Sequence, residues 1–320
     1  MTQELKFNPA RLLKAEKLSV LLPLVIAVMI LSCSAIFTRL SEQELTPLAT
    51  VFDRFWLASI VLGTWSGIRA VRPPASQPPT RTLEPLTKLD YGLMALLSVA
   101  IAARAGSWAW SLTQTTVANS NLLHNMTPIF ATLGGWIFFG HRFDRRFLLG
   151  LVLALTGVVA IGVHDLHLTT EGFWGDLAAL MSSVFYAINF LVIERLRRKL
   201  TATAIMTWSC VLVSGLLLPC VLVLGHGFIP HSPSAWTAIL CLGVLSQSLG
   251  QSLIAYVLKR LNSGHVSIFL LLEPLLTALL AWIIFGERLS PSNWLAFGII
   301  LAGLYLAIAS TTVQAAEPQS

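Results

Sequence analysis

Charge is what this 320-residue chain has least of. Asp, Glu, Lys and Arg make up 11% of it, against about 25% in a soluble domain. Too few charged side chains remain to cover a water-facing exterior, so a conventional soluble domain is excluded. Cysteine is scarce as well. Cys33, Cys210, Cys220 and Cys241 all lie in apolar segments, and none forms a CxxC pair. Neither a disulfide framework nor a metal site follows from them. No lysine follows a glycine, so a Walker A phosphate loop and an ATPase mechanism are excluded for this chain. HExxH and GxSxG are absent, and no cofactor is implied. A cleavable signal peptide is not evident either. The first apolar run, Leu18 to Leu40, is too long for an h-region and lacks a small-residue cleavage site.

What is abundant is apolar sequence. Hydrophobic residues make up 55% of the chain, with a mean hydropathy of +0.75. That much apolar surface calls for lipid as solvent. A span needs about 20 mostly apolar residues. Ten segments qualify: 18–40, 47–69, 89–113, 117–139, 145–163, 173–195, 203–224, 236–258, 264–285 and 291–310. The expected fold is therefore an all-α integral membrane protein of ten transmembrane helices. A cytoplasmic arm (1–17) precedes them and a tail (311–320) follows. The stretch Phe7 to Lys17 is basic and amphipathic, suited either to the inner membrane surface or to solvent.

The net charge of +6 suggests nucleic acid in isolation, but its distribution follows loop side. With the N-terminus inside, the inner segments hold Lys6, Arg11, Lys14, Lys17, Arg69, Arg72, Arg81 and Lys88. The later inner loops add Arg142, Arg145, Arg146, Arg195, Arg197, Arg198, Lys199, Lys259 and Arg260. Only Arg39 and Arg288 fall outside. Lys and Arg gather on the cytoplasmic side of membrane proteins, so both termini are expected in the cytoplasm. The location is then the plasma (inner) membrane, with the bilayer as partner and no nucleic acid.

A stretch near the middle of the chain recurs near its end. Pro128-Ile129-Phe130 leads into Trp136-Ile137-Phe138-Phe139-Gly140-His141-Arg142, and Pro274-Leu275-Leu276 into Trp282-Ile283-Ile284-Phe285-Gly286-Glu287-Arg288. The copies align without a gap from Trp110/Tyr256 to Gly157/Gly303, with about ten identities in roughly thirty positions after each proline. The offset maps the fourth span onto the ninth. Each half (18–163 and 173–310) then holds five spans. An odd number means that the second half enters from the opposite side, giving inverted repeats as in secondary transporters.

These features resemble the drug/metabolite transporter superfamily, EamA type. Leu272-Glu273-Pro274 followed by Trp282 to Leu289 carries the clearest signature, and Asp53-Arg54-Phe55 matches an Arg-Phe in the family's second span. His141 departs from the usual Glu, at a helix end outside the expected pathway. The resemblance spans Leu18 to Ser310 and implies a carrier of small metabolites, often amino acids or related compounds, working outward. An intramembrane enzyme or a channel or scramblase is the alternative.

Charges inside spans are costly, on the order of 2.5–3.5 kcal/mol by insertion scales, and mark partners or wet cavities. Arg104 lies ~22 Å from the inner end of its span, with Trp108 and Ser111 on the same face. It reads as a carboxylate or phosphate ligand, or as a structural ion pair with Glu273 or Asp53. Glu273 lies ~14 Å from the inner end of the ninth span and reads as a coupling-proton carrier or as a pairing or capping group. His124 reads as a proton site or as a neutral hydrogen-bonded ring. Pro128 and Pro274 are expected to kink their helices, freeing the carbonyls of His124 and Leu270 for water or substrate.

Asn121, Asn125 and Pro128 form a polar stripe beside His124 and Thr127. Ser182, Tyr186 and Asn189 form another, and Gly243, Gln247 and Gln251 a third. Their convergence points to a central pathway for a small-molecule substrate. The fifth and tenth spans are almost wholly apolar and read as peripheral, or as a homodimer surface. Gly63 and Gly67 form a GxxxG, read as packing. His164-Asp165-Leu166-His167 reads as a solvated loop or a loose metal binder.

Overall fold

The computed structural model describes residues 9–71, 85–162, 172–224, 229–285 and 291–309. Among the described residues every regular element is helical. In chain order they are α1 (Pro9–Ser41), α2 (Pro47–Val71), α3 (Lys88–Gln114), α4 (Val117–His124), α5 (Thr127–Phe139), α6 (Arg145–Gly162), α7 (Phe173–Leu196), α8 (Ala202–Leu224) and α9 (Pro233–Leu240). A π-helical segment (Cys241–Gly250) follows, then α10 (Gln251–Val257), α11 (Ser263–Phe269), α12 (Leu272–Phe285) and α13 (Pro291–Ala309).

Seven of the resulting rods are long and apolar enough to cross a membrane: Ser19–Ser41, Lys88–Gln114, Phe173–Leu196, Ala202–Val223, Pro233–Val257, Ser263–Ile284 and Pro291–Ala309. The remaining expected spans are α2, which carries Asp53, Arg54 and Arg69, the α4–α5 pair, and α6. Because α1 begins at Pro9, most of the basic arm is continuous with the first span. The metal-binder reading of His164 to His167, the signature residues 286–289 and the tail lie outside the described residues.

The helices are apolar on most of their circumference, as expected where lipid replaces water. Phe138 and Val223 are more than 70% exposed. Backbone groups are satisfied within the helices, the requirement that lipid imposes. Hydrogen bonds between helix ends show that the basic loops gather at one end of the bundle. Lys199 Nζ lies 3.0 Å from Asp90, and Arg260 Nη1 donates to Ser19 Oγ at 2.7 Å. At the far end Glu44 accepts from the backbone of His231 and Ser232, and Thr115 Oγ1 donates to Asp176 at 2.7 Å.

The two proline-led rods break at equivalent places. Thr116 caps α4 by accepting from Asn119 N, and Asn262, its counterpart, caps α11 by accepting from His265 N. Each short helix ends about two turns later in three-residue hydrogen bonds, Met126 N to Leu123 O and Leu270 N to Ser267 O. A new helix then starts, with Pro128 or Pro274 in its first turn. The prolines therefore do not kink continuous helices; they open new ones, where a missing N–H costs nothing. The freed carbonyls are not left for water or substrate either. His124 O accepts Thr127 Oγ1 at 2.8 Å, and Leu270 O accepts Glu273 N at 2.9 Å.

α6 and α13 pack closely on one another. A Cβ on Gly150 would stand 2.5 Å from Gly303 O, and one on Gly157 would stand 2.9 Å from Ala296 O. Low numbers on α6 meet high numbers on α13, so the two helices cross antiparallel. Their outer faces remain bare, with Leu149, Val152, Leu295 and Tyr305 exposed. The packing role expected of Gly63 and Gly67 is not realised, since a Cβ on either meets nothing within 4 Å.

Candidate functional site

Midway along α3 the Arg104 guanidinium lies over the Tyr186 ring of α7, 4.6 Å from its centroid. The His124 ring from the end of α4 stacks on Tyr186 as well, at 5.6 Å and 11°. Trp108, one turn beyond Arg104, tilts against His124 at 6.2 Å. Three helices thus contribute one continuous stack of cation and rings. Contacts of this type stabilise by roughly 0.5–2 kcal/mol each, more when water is excluded.

Ser182 fixes the histidine. Its hydroxyl donates to Arg104 O at 3.1 Å, while its oxygen lies 3.0 Å from His124 Nδ1. With the hydroxyl proton already used, Nδ1 must be the donor, and Nε2 of a neutral ring is left as an acceptor.

Two donors in this stack have no partner: Arg104 Nε and Trp108 Nε1 are buried and unbonded. They belong to neighbouring turns of one helix face. Unpartnered buried donors are costly, about 1–3 kcal/mol each, so their pairing marks a place for an oxygen-rich acceptor.

Arg54 of α2 faces the same centre. Its Nε donates to Gln247 Oε1 at 3.1 Å and its Nη2 to Ser246 Oγ at 2.9 Å. Both partners sit in the π-helical segment, a geometry that recurs at functional sites. Gln247 Nε2 in turn points at Cys210 Sγ, 3.8 Å away. Arg54, Arg104, Tyr186 and Glu273 all act on one another electrostatically. Among the described residues neither arginine forms an ion pair within 4 Å, so the expected structural pairing of Arg104 with Glu273 or Asp53 is not formed. Asp53 is instead buried, with Oδ2 unbonded. The charged and aromatic groups of the centre keep partial accessible surface although contacts reach them from several helices.

The structure thus brings together Arg104, Trp108, His124, Tyr186, Gln247 and Glu273, with Gln251 beside Tyr186. Asn121 is exposed, and Asn125 turns its amide back onto Asn121 O at 2.8 Å. Their stripe presumed a straight helix to Pro128, and the break after α4 removes it. Asn189 is buried one turn beyond Tyr186 with Oδ1 unbonded. Arg54 was not in the expected set of ligands. Its signal was its cost, since an arginine within an apolar span asks for a partner.

A model of the EamA-like transporter family matches residues 18–163 and again 173–309. An uncharacterized transporter of Archaeoglobus fulgidus is 26% identical over 89% of this chain and 96% of its own length. A probable terminal-alkyne amino-acid exporter of Streptantibioticus cattleyicolor is 23% identical over 79% of this chain and 81% of its own. A solved crystal structure superposes with a TM-score of 0.78 at 17% identity, covering 92% of this chain and 99% of that one, a likeness of fold alone. Since the two family matches together span most of the chain, it belongs to the EamA-like transporter family and is a multi-pass cell-membrane transporter, not an enzyme.

Proposed function

We propose that the protein is a secondary transporter that carries an amino acid or related small metabolite outward, by alternating access around the Arg54–Arg104–Glu273 centre. Ten spans form two inverted five-helix halves, with both termini and the basic end of the bundle in the cytoplasm. The antiparallel crossing of α6 and α13 supports this inversion. Gly150 and Gly157 correspond to Ala296 and Gly303 in the repeat, and each meets the counterpart of the other. A two-fold axis lying in the membrane plane produces that pattern.

The observation that carries the reading is the pair of unpartnered donors, Arg104 Nε and Trp108 Nε1, set between an aromatic stack and Glu273. A substrate carboxylate takes the donors, and an ammonium or hydroxyl finds acceptors in His124 Nε2 and Glu273. Tyr186 and Trp108 cover an apolar part. The amino-acid class is also supported by the name of the Streptantibioticus relative, as is the outward direction. Glu273 carries the coupling proton. Spans contributing to this centre come from both halves, so a rocking of one half against the other exposes it to either side in turn.

Counterflow in proteoliposomes tests the reading. Vesicles preloaded with unlabelled amino acid should accumulate the labelled form transiently. Uptake that never exceeds equilibration, with no trans-stimulation, would mean a channel and would sink the carrier reading.

A further inference from the structure

At the basic end of the bundle one buried carboxylate holds three chain segments. Glu194, in the last turn of α7, is 8% exposed. Its Oε1 lies 3.1 Å from His141 Nε2, just after α5. Its Oε2 accepts the backbone N–H of Ser263, the first residue of α11, at 2.7 Å. Gly140 makes this possible. At φ 66° it turns the chain back on α5, so that the His141 ring rests on Gly135, where a Cβ would stand 2.8 Å from Nδ1. One turn past Glu194, Arg197 Nε donates to Ala255 O of α10 at 2.8 Å, and Nη1 to Leu200 O.

The central bonds Ser182–Arg104 O and His124–Ser182 join α3, α4 and α7 to one another. Arg54–Gln247 and Thr277–Ser32 O join α1, α2, the π-helical segment and α12. At the far end, Asp176–Thr115 stays within the first group and Glu44–Ser232 within the second. Glu194–Ser263 ties α7 to α11 and Arg197–Ala255 ties it to α10, both at the basic end, while Tyr186–Gln251 ties α7 to α10 at the centre.

We propose that Glu194 is the pin of a gate closing the basic end, and that its release from Ser263 is a step of the transport cycle. This rests on the alternating-access reading above. His141 is then no neutral departure from the repeat. In the second copy the same position is Glu287, and a glutamate at 141 would set two carboxylates against each other. Imidazole is what lets Glu194 be buried there. Opening toward the basic end requires the carboxylate to leave the Ser263 N–H and Arg197 to leave Ala255 O. The substrate's path between α5, α7 and α11 is blocked until both have moved.

The test is accessibility of a cysteine placed beyond the pin. Ser267 lies one turn deeper on α11 and is 1% exposed. S267C in a background without the four native cysteines is labelled with a membrane-impermeant maleimide in inside-out vesicles. E194A should raise the labelling rate several-fold, and H141E should do the same by repulsion. E194Q, which keeps an acceptor oxygen, should fall between E194A and the parent. Size-exclusion profiles identify variants that fail to fold, and H141E and E194Q remain informative if E194A is among them. Unchanged labelling in a folded E194A or H141E protein overturns the gate. Counterflow by the parent protein is measured in parallel. Its absence would strike the transport reading, whereas labelling alone decides the pin.

Discussion

The Arg104 guanidinium of α3 lies over the Tyr186 ring of α7, 4.6 Å from its centroid. This relationship decides how the central cation is held. Arg104 is oriented by an aromatic surface and not by an opposing carboxylate, so its hydrogen-bonding edge stays free for a ligand. A planar cation is required for that arrangement, because an ammonium neither stacks nor forks.

Arg104→Lys should therefore preserve charge and lose affinity. Losing the stack and the paired donors is worth roughly 1–2 kcal/mol, about a 5- to 30-fold rise in apparent KM. Counterflow kinetics read it directly, and wild-type kinetics in R104K would remove Arg104 from the substrate site.

Tyr186 separates ring from hydroxyl. Tyr186→Phe keeps the surface under Arg104 and His124 and should change transport little. Tyr186→Leu removes both stacking contacts and should impair it by about tenfold or more. Equal behaviour of the two variants would show that the stack is not what orients Arg104.

Ser182→Ala leaves His124 Nδ1 without its partner and removes one of the donors to Arg104 O, which keeps Ser107 Oγ. The loss of a buried hydrogen bond costs about 0.5–1.5 kcal/mol. Since the tautomer is no longer fixed, substrate affinity should fall further than thermal stability does. A ligand-induced shift in Tm as large as that of the parent would refute the positioning role.

Much of this was legible in the sequence, and the reasons for the remainder are physical. Pro128 and Pro274 announced where the two rods change course, because proline cannot sit mid-helix at no cost. The sequence did not reveal that short helices would end beforehand with their carbonyls already bonded to Thr127 and Glu273. Periodicity placed Arg104, Trp108 and Tyr186 on useful faces, since each lies in an unbroken helix. It misplaced Asn121 and Asn125, because a break after His124 changes the register. Arg54 and Glu194 were missed for another reason. Their partners, Ser246 and Ser263, belong to distant segments, and no local spacing reports a contact between helices far apart in the chain.

Acid sensitivity should appear at the far end, where Glu44 holds the loop before α9. The Ser232 side chain, followed by the His231 and Ser232 backbone N–H groups, stabilises the ionised carboxylate and lowers its pKa below the usual glutamate range. A group depressed in the folded state contributes stability above its unfolded pKa and loses it as pH falls through the folded one. Glu44→Gln should therefore lower Tm at neutral pH and flatten the Tm profile on the acid side. A parallel profile in the variant would assign the acid sensitivity to other groups.

The α6–α13 contact makes the sharpest structural prediction, because backbone meets backbone there. A Cβ on Gly303 would stand 2.5 Å from Ala154 N and 2.6 Å from Gly150 O, neither of which can rotate away. Gly303→Ala must push the helices apart, at a cost of about 1–3 kcal/mol typical of overpacking. A helix glycine replaced by alanine ordinarily gains up to ~1 kcal/mol, so the sign itself is diagnostic. Gly298, on the same helix, has nothing within 4 Å of its would-be Cβ. Gly298→Ala should be neutral or stabilising in detergent thermal unfolding, while Gly303→Ala and Gly150→Ala lower Tm. If all three variants raised Tm alike, the close crossing of α6 and α13 would be wrong, and with it the symmetric contact that supports the inverted halves.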